Sequence, residues 1–430
     1  MALPVFISVF LLLLLLGLPV GLVMGVSSFL YLAFSGNPLY FTILPEKIFS
    51  GINVFVLMAI PFFMLAGEIM HKAGISDRLI AFSNMVIGRV RGGLAHVNVL
   101  ASILFAGNTG VALGDIAALG SFLIPSMVKQ GYDKAFSAAV TAASSLVGPI
   151  IPPSTIAVLY AATMGESVGA LFAGAIIPGI LIGLSDMIIV KILADRRQYP
   201  KIEVKVTPRI FLLGLKDAIL SIIMPVIILG GLLLGIFTPT EAAAVSVVYA
   251  LFLGLVVFRT LKPPHLIDLL KNPIFGTAKL FFIIAGASVV SWIFGIENAA
   301  VFAEEIFRSI TSNKYILLLL INLFYLFLGM WLDPGLCIIL FAPVLGPLAF
   351  KLGVHPVQFG IMVIINCNIG LVTPPVGNVL FAVCDMAKLE MVKLAKELLP
   401  FIAINFVVIM MVAYIPSLSL FIPQLLGLIK

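Results

Sequence analysis

The chain has 430 residues, 62% hydrophobic and 10% charged, with 25 Lys and Arg against 19 Asp and Glu for a net charge of +6. Its mean hydropathy of +1.24 is more apolar surface than a soluble fold of this length can bury, so lipid is the solvent for most of it. The basic residues fall between apolar runs and form no stripe, which fits membrane topology and argues against a nucleic-acid partner.

At 20-odd residues per span there is room for roughly ten or more transmembrane segments. Leu11–Leu16 resembles a signal-peptide core, but Met1 to Pro4 carries no basic residue and no small-x-small cleavage site follows. A retained first span over about Leu3–Phe34 is expected. Within it Gly17, Gly21 and Gly25 fall at intervals of four, baring one helix face for another subunit or for packing within the chain.

A second apolar stretch covers about Val54–Met70, and His71–Asp77 forms a polar junction. Leu94–Met127 is long and apolar but is cut by A-G-N-T-G at 106–110 and by Gly114. Two half-length helices meeting at a polar tip, a re-entrant hairpin, are predicted; irregular backbone at membrane depth persists only where protein or a wet cavity satisfies it. Ala135–Val147 then runs into the break G-P-I-I-P-P, a half-helix resumes from Ser154, and a span follows at about Val168–Leu193. Lys191, Arg196, Arg197, Lys201, Lys205, Arg209 and Lys216 form the densest basic cluster, which places this link in the cytoplasm.

Spans near Leu212–Leu234 and Ala242–Phe258 are joined by G-I-F-T-P-T-E, and a basic loop with Arg259, Lys262, Lys271 and Lys279 returns to the same side. After a span at about Leu280–Phe294, the stretch Ala299–Ser312 mixes apolar residues with Glu304, Glu305 and Arg308 and predicts an amphipathic surface helix. Tyr315–Phe350 repeats the hairpin pattern, interrupted at G-M-W-L-D-P-G (329–335). Val357–Ile369 breaks at G-L-V-T-P-P and resumes to about Val383, and a last span covers about Leu398–Leu418.

The two interrupted regions are 222 residues apart. At that single offset seven Gly or Pro positions pair: 107 with 329, 125 with 347, 131 with 353, 148 with 370, 152 with 374, 153 with 375, and 178 with 400. Matched helix breakers in two halves of a membrane chain point to a transport site. Arg78, Arg89, Arg91, Lys129 and Lys134 flank the first hairpin, and the thinner set Arg308, Lys314 and Lys351 flanks the second. The positive-inside rule then gives the two copies opposite orientations. The predicted fold is an all-α polytopic membrane protein with inverted repeats, two re-entrant helical hairpins and two broken helices. Its expected units are scaffold helices over 1–93, a first transport repeat over 94–195, scaffold helices with an amphipathic arm over 196–312, and a second transport repeat with the final span over 313–430.

Each broken helix bares carbonyls at one end and N–H groups at the other, suited to a small cation and to an anion respectively. Pro152–Pro153 and Pro374–Pro375 would enforce the breaks as first residues of the resumed half-helices. Asn108, Thr109, Asp115, Ser144, Ser145, Ser154 and Thr155 lie near the first break, and Asp333, Asn366, Asn368, Thr373 and Asn378 near the second. Such oxygens hold hard cations, and equally make ordinary interhelical hydrogen bonds. Asp115 and Asp333 are candidates for structural or coupling roles, because intramembrane carboxylates are functional by default; each is also placed to cap a turn or helix. Cys337, Cys367 and Cys384 lack CxxC spacing and are expected as buried structural thiols. The four histidines show no metal-ligand spacing, and no Walker A, G-x-S-x-G or dinucleotide motif is present. The chain therefore reads as no enzyme and no ATPase, with no cofactor and no transition metal, so uphill movement needs an ion gradient.

G-I-F-T-P-T-E-A-A-A at 235–244, G-P-I-I-P-P-S at 148–154, G-L-V-T-P-P-V-G at 370–377, A-I-P-F-F-M-L-A-G-E at 59–68 and D-P at 333–334 together resemble the large membrane subunit of tripartite ATP-independent periplasmic (TRAP) transporters, across essentially the whole chain. The resemblance implies a multi-pass protein of the bacterial inner membrane that imports an organic acid by an elevator mechanism driven by Na+. It implies two partners: a small membrane subunit that extends the scaffold, and a periplasmic binding protein that delivers the acid. One Na+ would lie between Gly107, Thr109 and Gly110 of the first tip and Ser144 and Gly148 of the first break. A second would use Gly329, Gly370, Thr373 and the carbonyl of Val376. Substrate would sit between the two breaks, at Pro152, Pro153, Ser154, Asn366, Pro374, Pro375, Gly377 and Asn378. Two departures stand out: T-G-V-A-L-G-D at 109–115 replaces the family's usual S-G-S-S-x-A-D, losing two hydroxyls, and Asn378 comes one position earlier than in P-P-V-G-L-N. The alternatives are a stand-alone sodium–carboxylate symporter of related architecture, a channel, and a membrane scaffold or enzyme with intramembrane aspartates.

Overall fold

A computed structural model describes residues 2–201, 208–262 and 266–429. Every regular element among them is helical. Helices α1 (Ala2–Leu15), α2 (Val20–Phe34) and α3 (Leu39–Ile52) lead through a 3-10 turn into α4 (Ala59–Lys72) and α5 (Ile75–Ile87). Helix α6 (Gly93–Thr109) turns into the short α7 (Ala112–Asp115), a π-helical stretch and α8 (Ser121–Lys129). An irregular segment separates α9 (Lys134–Ser144) from α10 (Thr155–Met164), and the long α11 (Val168–Arg196) follows. Next come α12 (Pro208–Leu233), α13 (Pro239–Phe252), α14 (Leu266–Ile296) and α15 (Ala299–Ile310), then α16 (Lys314–Trp331) and α17 (Pro334–Lys351). A second irregular segment divides α18 (Pro356–Gly370) from α19 (Asn378–Ala387), and α20 (Met391–Tyr414) and α21 (Ser417–Leu425) end the described chain. Among the described residues, nine helical stretches are long and apolar enough to cross a membrane, because in lipid the backbone must satisfy its own polar groups.

Element bounds keep the 222-residue interval: α9 starts at Lys134 and α18 at Pro356, while α8 ends at Lys129 and α17 at Lys351. The glycines after α8 and α17, Gly131 (φ +89°) and Gly353 (φ +78°), take the same left-handed conformation. The interior lies where these segments meet. Every residue of α18 after Pro356 is buried, as is α9 from Phe136 onward, and a helix apolar all round belongs inside. The two interrupted helices are therefore central, and the long amphipathic or one-faced helices surround them.

Several expectations change. The single first span is two helices, since Gly17 adopts φ +77° and Pro19 precedes α2; they fold side by side, with the Phe6 and Tyr31 rings 6.0 Å apart. Gly17 therefore lies outside the helix that carries Gly21 and Gly25. Gly21 is used within the chain, because a Cβ there would come 2.5 Å from the Phe282 ring of α14. Lys271 and Lys279 are not in a loop but inside α14, which begins at Leu266; Lys271 pairs with Asp268 one turn earlier (2.7 Å). Of the cysteines, Cys337 and Cys367 are buried but Cys384 is only partly so. Lys205 and His265 lie outside the described residues, as does the side chain of Arg209.

The expected amphipathic segment is α15. Its Glu304 binds Lys351 at the end of α17 (2.6 Å) and Arg308 (2.9 Å). The hydrogen bond from Lys351, then that from Arg308, holds its carboxyl below the ordinary range. The G-I-F-T-P-T-E motif starts α13 with a capping box: Glu241 N–H donates to the Thr238 hydroxyl (3.3 Å), Thr238 N–H donates to Glu241 Oε2 (2.8 Å), and Pro239 occupies the first turn. Thr238→Ala is expected to cost about 1 kcal/mol, seen as a lower thermal midpoint in detergent, whereas Thr238→Ser leaves it unchanged. Equal midpoints for all three proteins would refute the cap.

Candidate functional site

Helix α9 stops because Pro149, Pro152 and Pro153 remove donors and block the next turn. The chain passes through a 3-10 turn at Ser145–Val147. Ser154 then caps α10: its hydroxyl accepts from Ala157 N–H (3.2 Å) and donates to the Pro149 carbonyl (2.5 Å). In the second half α18 ends at Gly370, and the Thr373 hydroxyl donates to the Ile369 carbonyl (2.7 Å). Gly377, at φ +51°, starts α19. Both Pro–Pro peptide bonds are cis. The prolines are not the first residues of the resumed half-helices, as expected from sequence; those begin at Thr155 and Asn378. Ser154 and Gly377 hold the cap positions instead, because a side-chain acceptor or a left-handed glycine satisfies the turn better than a donorless proline.

A turn from the preceding helix pair lies on each break. The first tip is the left-handed Gly110 after α6. The Thr155 hydroxyl donates to its carbonyl (3.2 Å), and a Cβ on Gly110 would come 2.8 Å from the Pro153 carbonyl. Asp115 ends α7, and its carboxylate lies against Gly148, where a Cβ would sit 2.0 Å from Oδ2. At the second tip, a Cβ on Gly370 would come 2.3 Å from the carbonyl carbon of Gly329, and one on Gly329 would come 2.8 Å from the Cys367 carbonyl oxygen. Gly377 N–H donates to the Met330 carbonyl (3.0 Å), tying the second break to the end of α16. Asp333 caps α17 by accepting from Gly335 N–H (2.9 Å). Gly107 and Thr109 belong to the last turn of α6, and the side chains at 107–109 lie outside the described residues.

Polar side chains support both breaks from behind. Asn98 donates to Thr141 (2.7 Å), Ser102 to Ser144 (3.0 Å), and Ser144 to Asn98 (3.3 Å). In the second half Asn366 donates to the side chain of Asn322 (2.6 Å) and to the Met362 carbonyl (2.8 Å), while Asn368 donates to the Ile364 carbonyl (2.7 Å). The side-chain carbonyl oxygens of Asn366 and Asn368 are buried and accept nothing among the described residues. Bare acceptors of this kind are what a small cation or a ligand donor fills.

Gly110 is thus brought to Pro153 and Thr155, Asp115 to Gly148, Gly329 to Gly370, and Gly377 to Met330. Pro375 and Asn378 are exposed, Pro374 and Val376 partly so, whereas Gly148, Pro152, Pro153 and Ser154 are buried. The first break is closed over and the second is open. Asn98, Ser102, Thr141 and Asn322 were not singled out from the sequence; the available signal was a polar residue inside an otherwise apolar helical run. Beside the first tip a cavity of about 210 Å3 is lined by Gly67, Glu68 and His71 of α4, by Val111 and Gly114, and by Asn272. No group of three or more His, Cys, Asp or Glu suited to a metal occurs among the described residues.

Residues 7–418 match the family model described as "Tripartite ATP-independent periplasmic transporter, DctM component". The chain is 39% identical over 411 residues to the sialic acid TRAP transporter large permease protein SiaM of Vibrio cholerae, covering 95% of each chain. It is 37% identical over 382 residues to the C4-dicarboxylate TRAP transporter large permease protein DctM of Pseudomonas aeruginosa, covering 89% of each. Its fold is similar to the crystal structure of the Alcanivorax borkumensis YdaH transporter, with a TM-score of 0.58, 16% identity, and 91% and 87% of the two chains covered.

The glycine contacts give a paired test. Gly370→Ala has to push apart two backbones and is expected to cost about 1–3 kcal/mol or more. Gly230→Ala, where a Cβ meets nothing within 4 Å on α12, is expected to be neutral or stabilising by about 0.5–1 kcal/mol. Thermal unfolding of the two variants should separate them; equal midpoints would contradict the backbone contact.

Proposed function

The chain belongs to the DctM family, the DctM component of tripartite ATP-independent periplasmic transporters, and on that footing we propose that it carries an organic acid across the membrane by Na+-driven alternating access. As a family member it is a multi-pass inner-membrane transport protein and not an enzyme. The observation that carries the proposal is the packing of each interrupted helix against a neighbouring helical tip through bare backbone, Gly370 on Gly329 and Pro153 on Gly110. Unwound backbone in the membrane interior supplies carbonyls for a cation and helix N-termini for a carboxylate.

In this proposal one Na+ binds between the first tip and Ser144–Gly148. A second binds among Gly329, Gly370, Thr373 and the Val376 carbonyl. The Thr373 hydroxyl spends its proton on the Ile369 carbonyl, which leaves the lone pairs of its oxygen for a cation. Substrate lies between the breaks, toward Asn366, Gly377 and the exposed Asn378. A carboxylate is the favoured cargo, since relatives are named for sialic acid and for C4-dicarboxylates, and the α10 N-terminus can meet its negative charge.

The recurring element bounds and the unequal basic flanks support two copies of opposite orientation, and with them an elevator in which 94–195 and 313–430 move against the remaining helices. The tripartite family description supports a small membrane subunit and a periplasmic binding protein as partners. The absence of a Walker A sequence agrees with an ion gradient as the energy source.

Uptake of a radiolabelled acid into proteoliposomes, with both partners supplied, tests this. Accumulation is expected only under an inward Na+ gradient, and undiminished accumulation without Na+ overturns the coupling. Full activity of the chain alone would favour a stand-alone symporter. Thr373→Val is expected to weaken half-saturation by Na+ about tenfold, equivalent to about 1.4 kcal/mol, with substrate KM at saturating Na+ unchanged.

A further inference from the structure

Outside the two breaks, the membrane interior holds one more carboxylate in an unusual setting. Asp186 lies on α11 and is fully buried. Asn405 of α20 donates its amide N–H to Asp186 Oδ1 (3.1 Å). Ser185 is placed to donate to Asn405 Oδ1 (2.9 Å) or to the Ile182 carbonyl (2.8 Å). Asp186 Oδ2 is buried and has no hydrogen-bond partner among the described residues. Further along α11 lie Lys191 and Asp195, and at its end Arg197 pairs with Glu397 of α20 (2.8 Å). Among the described residues, the side chain that bonds to Asp186 is the neutral amide of Asn405.

A bare carboxylate with a single hydrogen bond is among the costliest groups to place in a lipid-like interior. Its charge has to be matched by one positive charge, and among the described residues no basic side chain pairs with it. Sodium is a poor match here, because hard cations gather several oxygens. At this cluster Asp186 Oδ1 already faces a donor and Asn405 Oδ1 lies within reach of the Ser185 hydroxyl, while Oδ2 has no partner among the described residues. A proton needs only that one oxygen.

We infer that Asp186 is a proton-binding position, separate from both helix breaks, where a neutral carboxylic acid joins α11 to α20 through Asn405. The position is close to the first break. One turn earlier, a Cβ on Gly183 would come 2.5 Å from Ile103 and 3.9 Å from Val147. Ile103 follows Ser102, whose hydroxyl bonds to Ser144 (3.0 Å). Charge interactions are long-ranged at low dielectric, so loss of this proton is expected to act on the first break through its field as well as on the α11–α20 contact.

Infrared difference spectra of the full chain in lipid nanodiscs, wild type minus Asp186→Asn, test the inference directly. The wild type is expected to show a carboxylic-acid C=O stretch that shifts in D2O and is missing from D186N. Asn405→Leu removes the donor but keeps the acid, so there the band moves to higher frequency and does not vanish; this arm stands even if D186N folds poorly. Because the folded state holds the proton, the wild-type thermal midpoint is expected to fall as pH is raised, while that of D186N stays level. Identical carboxyl regions in wild type and D186N would overturn the inference. A wild-type midpoint raised by Na+ over choline, with D186N insensitive, would also overturn it and put sodium at this position.

Discussion

An interrupted helix in lipid leaves backbone N–H and C=O groups that water cannot reach, and the rest of this structure is arranged around satisfying them. At the second break the chain closes on itself through Thr373, and Gly377 reaches across to the Met330 carbonyl. At the first, Ser154 bridges the Pro149 carbonyl and Ala157 N–H, and Thr155 meets the Gly110 carbonyl. These partners have to come from backbone at very short range. That requirement explains the bare glycines at 110, 148, 329 and 370, where a side chain would collide with a neighbouring carbonyl, carboxylate or chain. It also explains why α9 and α18 are buried on all sides, since only surrounding protein can supply what lipid cannot.

The two halves place their helix breaks at the same interval and support them with different chemistry. The first uses hydroxyls, with Ser102, Ser144 and Thr141 linked to Asn98. The second uses amides, with Asn366 bonded to Asn322 and two carboxamide oxygens left open. The first return segment is broken into α7, a π-helical stretch and α8, whereas α17 is one helix capped by Asp333 and entered through Pro334. Exposure follows the same division: the first break is covered by its tip, and the second shows Pro375 and Asn378 at the surface.

The helix interruptions were legible in the sequence to within a few residues, because Gly and Pro act locally. The turn at 110, the break after 332 and both Pro–Pro segments fall within or next to the expected stretches. The details within a break were less legible. Pro152–Pro153 and Pro374–Pro375 looked like helix starts, but Ser154 and Gly377 took that role once the turn had to satisfy its own carbonyls. The opening apolar run looked like one span, and Gly17 with Pro19 folded it into two helices. Lys271 and Lys279 looked like a loop, yet they ride on α14, because a long basic side chain can lie on a helix and still reach water.

The sequence by itself determined the solvent, the helical class, the positions of the breaks and their 222-residue echo, since hydropathy and helix breaking are properties of residues and their near neighbours. Only the tertiary structure decided which groups meet. Asp115 faces Gly148, Gly329 faces Gly370, Asn322 meets Asn366, and Asp186 meets Asn405 across 219 residues. These contacts join segments far apart in the chain, and their energetics depend on burial and on the direction of single donors and acceptors, neither of which is written in local composition.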